Sequence, residues 1–178
     1  MAALYTKMGV KGQDNLKLCY NPKIHGYASS TMYQRCANKG KLFLLMRRNS
    51  NGRVFGGHQH VSLTQRQNYV YGNSPNAWLW TINKDTKKVD ILRKKSSPSY
   101  EYYFHSSYHL TWGAGHDLYC NSNLQGCNAN CGHDYDTNGR GYHTGGGNGA
   151  KVYMSGAYNW NHREGGSHGM VYEVYTVN

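Results

Sequence analysis

Residues 77–83, Ala-Trp-Leu-Trp-Thr-Ile-Asn, constrain the fold of this chain more than any other stretch. Alternate side chains of a strand point to opposite faces, so Trp78, Trp80 and Ile82 share one face and Ala77, Leu79 and Thr81 the other. Both faces are substantially apolar, as in a strand covered on both sides. Such a strand needs a sheet around it and a layer of protein above and below.

The rest of the sequence supplies candidates for that sheet. Leu16-Lys-Leu-Cys-Tyr20 alternates, and Asn21-Pro22 stops it. Lys41 to Arg48 is a continuous apolar run bounded by turn residues, which reads as a buried strand. Asn49-Ser-Asn-Gly52 is a turn with Gly52 placed for positive φ, and Arg53 to Gly57 returns as the hairpin partner, its Gly56-Gly57 pair marking a close approach of backbone. Lys88 to Arg93 pairs with the tryptophan strand through a turn at Lys84 to Lys87. Tyr100 to Trp112 reads as an aromatic strand, and residues 151–158 and 170–177 read as closing strands, the last of them inside the sheet.

Helical signals are few. Ser29 to Cys36 has Ser29 or Ser30 as N-cap and places Met32, Tyr33 and Cys36 on one face, with an end near Asn38-Lys-Gly40. The expected class is therefore α+β, mainly β, with a few short helices. Residues 1–15 are polar without a period and read as an N-terminal arm ahead of one domain over 16–178. Within that domain residues 121–149 form an insertion of Gly, Asn, Cys and His that has too few apolar residues to build a core.

Twenty Lys and Arg against nine Asp and Glu leave a net charge of +11, which attracts polyanions. Nucleic acid is disfavoured, because the basic residues are scattered rather than gathered in a recognisable module, apart from 84–88 and 93–95. The partners expected instead are a protein or an acidic or glycan ligand. No apolar run has the length of a membrane span. The N-terminus lacks the apolar core of a secretory signal, so the chain is intracellular or the sequence begins after a processed leader. Abundant Tyr, Gly and Asn lean towards an extracellular protein; five cysteines, an odd number, and the lack of an Asn-x-Ser/Thr sequon leave the compartment open.

Several constellations could carry chemistry. Thr111 to Cys120 sets Trp112, His116 and Asp117 around Gly113 and Gly115, whose conformational freedom suggests a bend or bulge that presents His116 and Asp117 as a site. The plainer reading, which the residues favour, is that Asp117 ties up loop amides and His116 fills a half-buried gap, since a His-Asp dipeptide has no nucleophile or third partner beside it. His58 and His60 fall on one side of a strand, as do His105 and His109, and either pair could take zinc or copper. Cys120, Cys127, Cys131 and His133 have the short spacing of a zinc site, or of a disulfide that would order a coreless loop. Cys19 and Cys36 read as buried thiols, a preference that an extracellular location would reverse. Tyrosines and amides in the glycine-rich loops suit a sugar, whose apolar faces rings can cover. No Ser/His/Asp order, phosphate-binding loop or paired-carboxylate motif stands out, so no catalytic residues are expected and no cofactor is required.

The order of motifs carries a resemblance. Val54-Phe-Gly-Gly57, Asn76 to Asn83, Trp112-Gly-Ala-Gly-His-Asp-Leu-Tyr119, Tyr153 to Tyr158 and Val171-Tyr-Glu-Val-Tyr175 follow one another as in the TLDc domain, the domain of the oxidation-resistance proteins and of several partners of the vacuolar proton pump. The chain resembles that family from about Leu16 to its end. The resemblance implies a compact two-sheet β-sandwich, no established catalytic centre, and a role in binding other proteins or in protection against oxidative damage. Two departures bear on function: His58 stands where the family pattern carries an aromatic residue, and Val171 stands where the first of two glutamates would be, leaving Glu173. The resulting expectation is a non-enzymatic binding domain, with an extracellular carbohydrate-binding or matrix protein as the alternative.

Overall fold

A computed structural model describes residues 1–64, 70–72, 76–83, 85–95, 100, 102–113, 116–129, 134–135, 154, 159–160 and 170–178. Its frame is a six-stranded antiparallel sheet in the order β1-β12-β2-β3-β5-β6. These strands are β1 (Leu16–Tyr20), β2 (Lys41–Arg48), β3 (Val54–Gln59), β5 (Trp78–Ile82), β6 (Val89–Arg93) and β12 (Met170–Val177). The C-terminal strand lies inside the sheet as expected, paired with β1 on one side and with the whole of β2 on the other, from Met170 opposite Arg48 to Val177 opposite Lys41.

The two hairpins follow from their turns. Gly52 has φ 67°, and its N–H donates to the Arg48 carbonyl at 2.8 Å, closing the β2–β3 turn where the sequence places it. Between β5 and β6 the Asn83 carboxamide oxygen accepts from the backbone N–H groups of Asp85 (2.9 Å) and Thr86 (3.0 Å). A side chain that satisfies two turn amides fixes the register of the strands it joins.

Both faces of the sheet are covered. On the inner face Leu44, Met46, Phe55, Leu79, Leu92, Tyr172 and Val174 join the larger core. The layer opposite consists of helix α3 (Ser29–Cys36) and two small three-stranded sheets, β4-β7-β8 and β9-β10-β11. Their strands are β4 (Val70–Gly72), β7 (Tyr102–Phe104), β8 (Thr111–Trp112), β9 (Tyr119–Cys120), β10 (Cys127–Asn128) and β11 (Asn159–Trp160). The fold is mainly β with antiparallel sheets, and the layer expected as one sheet is divided into two.

The outer face carries the second core, in which Phe43, Trp78, Trp80 and Val177 meet Leu4 and Met8. Those two residues belong to helix α1 (Ala2–Met8), so the segment read as an arm begins with a helix docked on the sheet. Phe43 and Trp80 stack with ring centroids 5.4 Å apart.

Several local expectations are corrected. Helix α3 buries Met32, Tyr33 and Cys36 as its spacing predicts, but its N-cap is Ala28, and the Ser29 hydroxyl donates instead to the Ser106 carbonyl at 2.6 Å. Asn21, which ends β1, caps helix α2 (Pro22–His25) by accepting from the Lys23 N–H at 2.9 Å. The aromatic strand 100–112 is broken into β7 and β8 by a turn that contains His105 and His109, so these histidines do not share a strand face. The insertion does contribute to the core: Leu124, Cys127, Ala129 and Tyr135 are buried there. Most of the strand expected over 151–158 lies outside the described residues; Met154 within it is helical and buried, and its carbonyl accepts from the Thr81 hydroxyl at 3.3 Å. Among the described residues no helix is long and apolar enough to cross a membrane.

Candidate functional site

The residues singled out in the sequence fall into two groups on opposite faces of the large sheet. Trp112, His116 and Asp117 belong to the inner layer. Gly113 has φ 76°, and a Cβ there would collide with the Asp117 carboxylate. Asp117 is fully buried, and its two oxygens accept from the backbone N–H groups of Asp134 (3.0 Å) and Tyr135 (3.3 Å). Charge-assisted bonds of this kind anchor the segment around 134–135 to the bend. Asp134 is buried beside the same glycine, so two carboxylates flank one Cα, a pairing that a separation of seventeen residues hides in the sequence. His116, at φ 57°, is half-buried with its ring 4.8 Å from Tyr119, 5.0 Å from Tyr108 and 5.5 Å from Tyr103, and burial lowers its pKa.

Trp112 links the two faces. It is fully buried against Gly57, where a Cβ would strike the indole, and its Nε1–H donates to the His58 carbonyl at 3.1 Å. The close approach marked by Gly56-Gly57 is thus that of a tryptophan, which holds the backbone of β3 at His58.

On the outer face His58 of β3 and His60, just past its end, lie side by side, their ring centroids 6.1 Å apart. His58 is 2% exposed and stacks on Trp78 at 5.0 Å. Its Nδ1 lies 3.3 Å from the Asn76 carbonyl oxygen, which can only accept, so Nδ1 carries a proton and Nε2 of the neutral ring is an acceptor. Nε2 is buried and meets no partner among the described residues. Burial lowers the His58 pKa to about 4, against the raising effect of the Asn76 carbonyl, and His60, Lys41 and Lys7 lower it further. His60 is exposed at the rim, its pKa lowered by partial burial and by Lys41.

These histidines open onto a cavity of about 450 Å³ between the end of α1 and the edge of the sheet. Lys7, Trp78, Arg93 and Lys94 line it with them. The basic cluster at 93–95, which flanks a strand, is a partial signal for this, but nothing in residues 1–15 shows that Lys7 returns to meet it.

Glu173 lies elsewhere on the outer face. Its carboxylate accepts from the Asn21 amide at 3.2 Å and from the Tyr175 hydroxyl at 2.7 Å. Burial and the bond to Glu173 raise the Tyr175 pKa, so that hydroxyl stays protonated.

The cysteines resolve into two bridges, Cys19–Cys36 and Cys120–Cys127. The first overturns the reading of Cys19 and Cys36 as thiols: β1 and α3 pack so that their Cα atoms stand 5.4 Å apart, within disulfide reach. The second is a disulfide inside the insertion, and it removes Cys120 and Cys127 as metal ligands. Cys131 and His133 lie outside the described residues. Among the described residues no group of three or more His, Cys, Asp or Glu is placed to hold a metal ion. His109 is buried, its Nδ1 2.7 Å from the Asn121 carbonyl and its Nε2 3.2 Å from the Tyr20 hydroxyl.

A family model, that of the TLDc domain, matches residues 1–152 of the chain and so includes α1, ahead of the point where the sequence resemblance begins. No curated protein matches the chain.

Proposed function

The chain belongs to the TLDc domain family, and on that premise we propose that it acts by binding, as a non-enzymatic protein-interaction module with a part in protection against oxidative damage. The observation that carries this reading is the outer face of the six-stranded sheet. Beside α1, that face presents the half-buried apolar side chains Leu45, Val54, Ile82, Val89 and Ile91, with Lys87 and Lys88 at its margin. Apolar area edged by like charge is the composition of a recognition surface for an acidic partner.

The test is a pair of substitutions on half-buried positions, Val54→Glu and Ile91→Glu. Cells challenged with hydrogen peroxide survive better with the wild-type protein, and the double variant, folded by near-ultraviolet circular dichroism, loses both the protection and the cross-linked partner. Protection by a folded double variant equal to wild type removes the face from the reading. Failure of the wild type both to protect and to cross-link a partner removes the reading itself.

A second reading is favoured by the two disulfides, which persist in oxidising compartments. It is an extracellular carbohydrate-binding protein that uses the rings of Tyr108, His116 and Tyr119. Binding to a glycan panel that Tyr108→Ala abolishes supports it, and a panel without a ligand ends it.

A further inference from the structure

We propose that the cavity at the end of α1 is a binding site for a small phosphate monoester, with His58 Nε2 and a phosphate oxygen sharing one proton. The inference does not rest on the partner-binding reading, since the cavity lies to one side of the apolar face and its ligand is a small molecule.

Three observations converge on the ligand. The first is charge: Lys7, Arg93, Lys94 and His60 line the cavity with His58, Lys41 acts on both histidines, and no Asp or Glu is among its described lining residues. The described lining is therefore of one sign, and a cleft of one sign concentrates the opposite ion. The second is the orphan acceptor. His58 lines the cavity and is 2% exposed, its Nδ1 proton is committed to the Asn76 carbonyl, and its buried Nε2 meets no partner among the described residues. A buried acceptor without a donor is costly, and a ligand that brings the donor recovers that cost. The third is size: about 450 Å³ falls within the range of small-ligand pockets and exceeds the needs of a lone phosphate ion.

The charge calls for an anion and Nε2 calls for a proton. A carboxylate or a sulfate ester is fully ionised at neutral pH and brings charge without the proton. A neutral sugar brings hydroxyl donors without charge. A phosphate monoester, whose second ionisation lies near pH 6, brings both. The bound form is neutral imidazole accepting from P–O–H, or imidazolium donating to the dianion; the two hold the same number of atoms and protons. In either case the complex holds one proton that free dianion and free neutral His58 lack above pH 6, so binding takes up one proton from solution. Lys7, Arg93 and Lys94 are the cationic side chains that line the cavity, and His60, its pKa lowered by partial burial and by Lys41, is the other histidine there.

Isothermal titration with glucose 6-phosphate at pH 7.5, in two buffers of different ionisation enthalpy, reads that uptake directly. The expected result is about one proton per ligand and an affinity that falls about tenfold per pH unit between pH 7 and 8. Glucose 6-sulfate and glucose should bind at least tenfold more weakly. His58→Phe, which keeps the stack on Trp78, should abolish the uptake and weaken binding at least tenfold. Lys7→Gln, an exposed change, should weaken binding several-fold and leave the uptake intact. Equal affinity for the sulfate ester, binding without proton uptake, a His58→Phe protein with wild-type affinity, or no binding of glucose 6-phosphate at millimolar concentration would each overturn the proposal.

Discussion

Replacing His58 with phenylalanine should make the fold less sensitive to acid. The imidazole is 2% exposed and held neutral, its pKa pushed down to about 4 mainly by burial. In the unfolded chain the same group titrates near 6.5. Between those values the unfolded state binds a proton that the native state does not, so stability is complete above pH 6.5 and declines as pH falls towards 4. At about 1.4 kcal/mol per pH unit the whole interval is worth about 3.5 kcal/mol, of which about 2.5 kcal/mol falls between pH 7 and pH 4.5. His60 and His116, whose pKa values are also lowered, are present in both proteins, so their effects cancel in the comparison. Urea unfolding followed by tryptophan fluorescence, with disulfides intact and no phosphate in the buffer, measures the difference. The wild type should lose about 2.5 kcal/mol more than His58→Phe over that range. Equal losses in the two proteins would mean that native His58 takes up its proton as readily as the unfolded chain does, and would refute the account of a buried neutral ring.

Other expectations follow from packing and covalent structure. Gly57→Ala drives a methyl group into the Trp112 indole, which is buried and bonded to the His58 carbonyl, and should cost about 1–3 kcal/mol in thermal unfolding; Gly12→Ala, with open space around it, should change stability by less than about 0.5 kcal/mol. Asp117→Ala strips the acceptor from two backbone N–H groups and should cost about 2–4 kcal/mol, with melting of the segment around 134–135 detected first by hydrogen exchange. Peptide mapping of unreduced protein should recover Cys19 linked to Cys36 and Cys120 linked to Cys127, and a link of Cys131 to Cys120 or Cys127 would contradict that pairing. On loop entropy alone the first bridge, spanning 17 residues, is worth about 3 kcal/mol, so the Cys19→Ser/Cys36→Ser protein should unfold at correspondingly lower urea.

What was legible in the sequence depended on how much pattern each element carries. The two-faced strand 78–82, the hairpin through Gly52 and the buried last strand each repeat a period over five residues or more, enough to identify both the strand and its covering. Strands β8, β9 and β10 have two residues each, too few to show a period, which is why β8 was legible only as the end of one long aromatic strand and β9 and β10 only as bend and insertion. Helix α1 was missed for a different reason. It has seven residues and no side-chain cap bond, and its apolar signal is Leu4, Tyr5 and Met8 alone. Such a helix is marginal in isolation and exists because its apolar edge docks on Phe43 and Trp78, information held far along the chain. The Cys19–Cys36 pairing was illegible in the same way, since only the packing of β1 against α3 brings the two together.

The candidate site depended on tertiary placement of this kind. Two histidines on one side of a strand could be read from spacing; that Lys7, Trp78 and Arg93 surround one of them could not. Placement also gives the departures from the family pattern a common location. His58 on β3, and Val171 with Glu173 on β12, all project from the outer face of the large sheet, where α1 lies. On the inner side Gly57, Trp112 and Asp117 keep their motif and are locked by collision-free packing and amide bonds, which leaves them little freedom to vary. A stacked aromatic ring in place of His58 would fill the same space on Trp78 without leaving an orphan acceptor, so the histidine is the more costly choice for folding alone. On the phosphate-ester site proposed above, a ligand that brings Nε2 its donor recovers that cost.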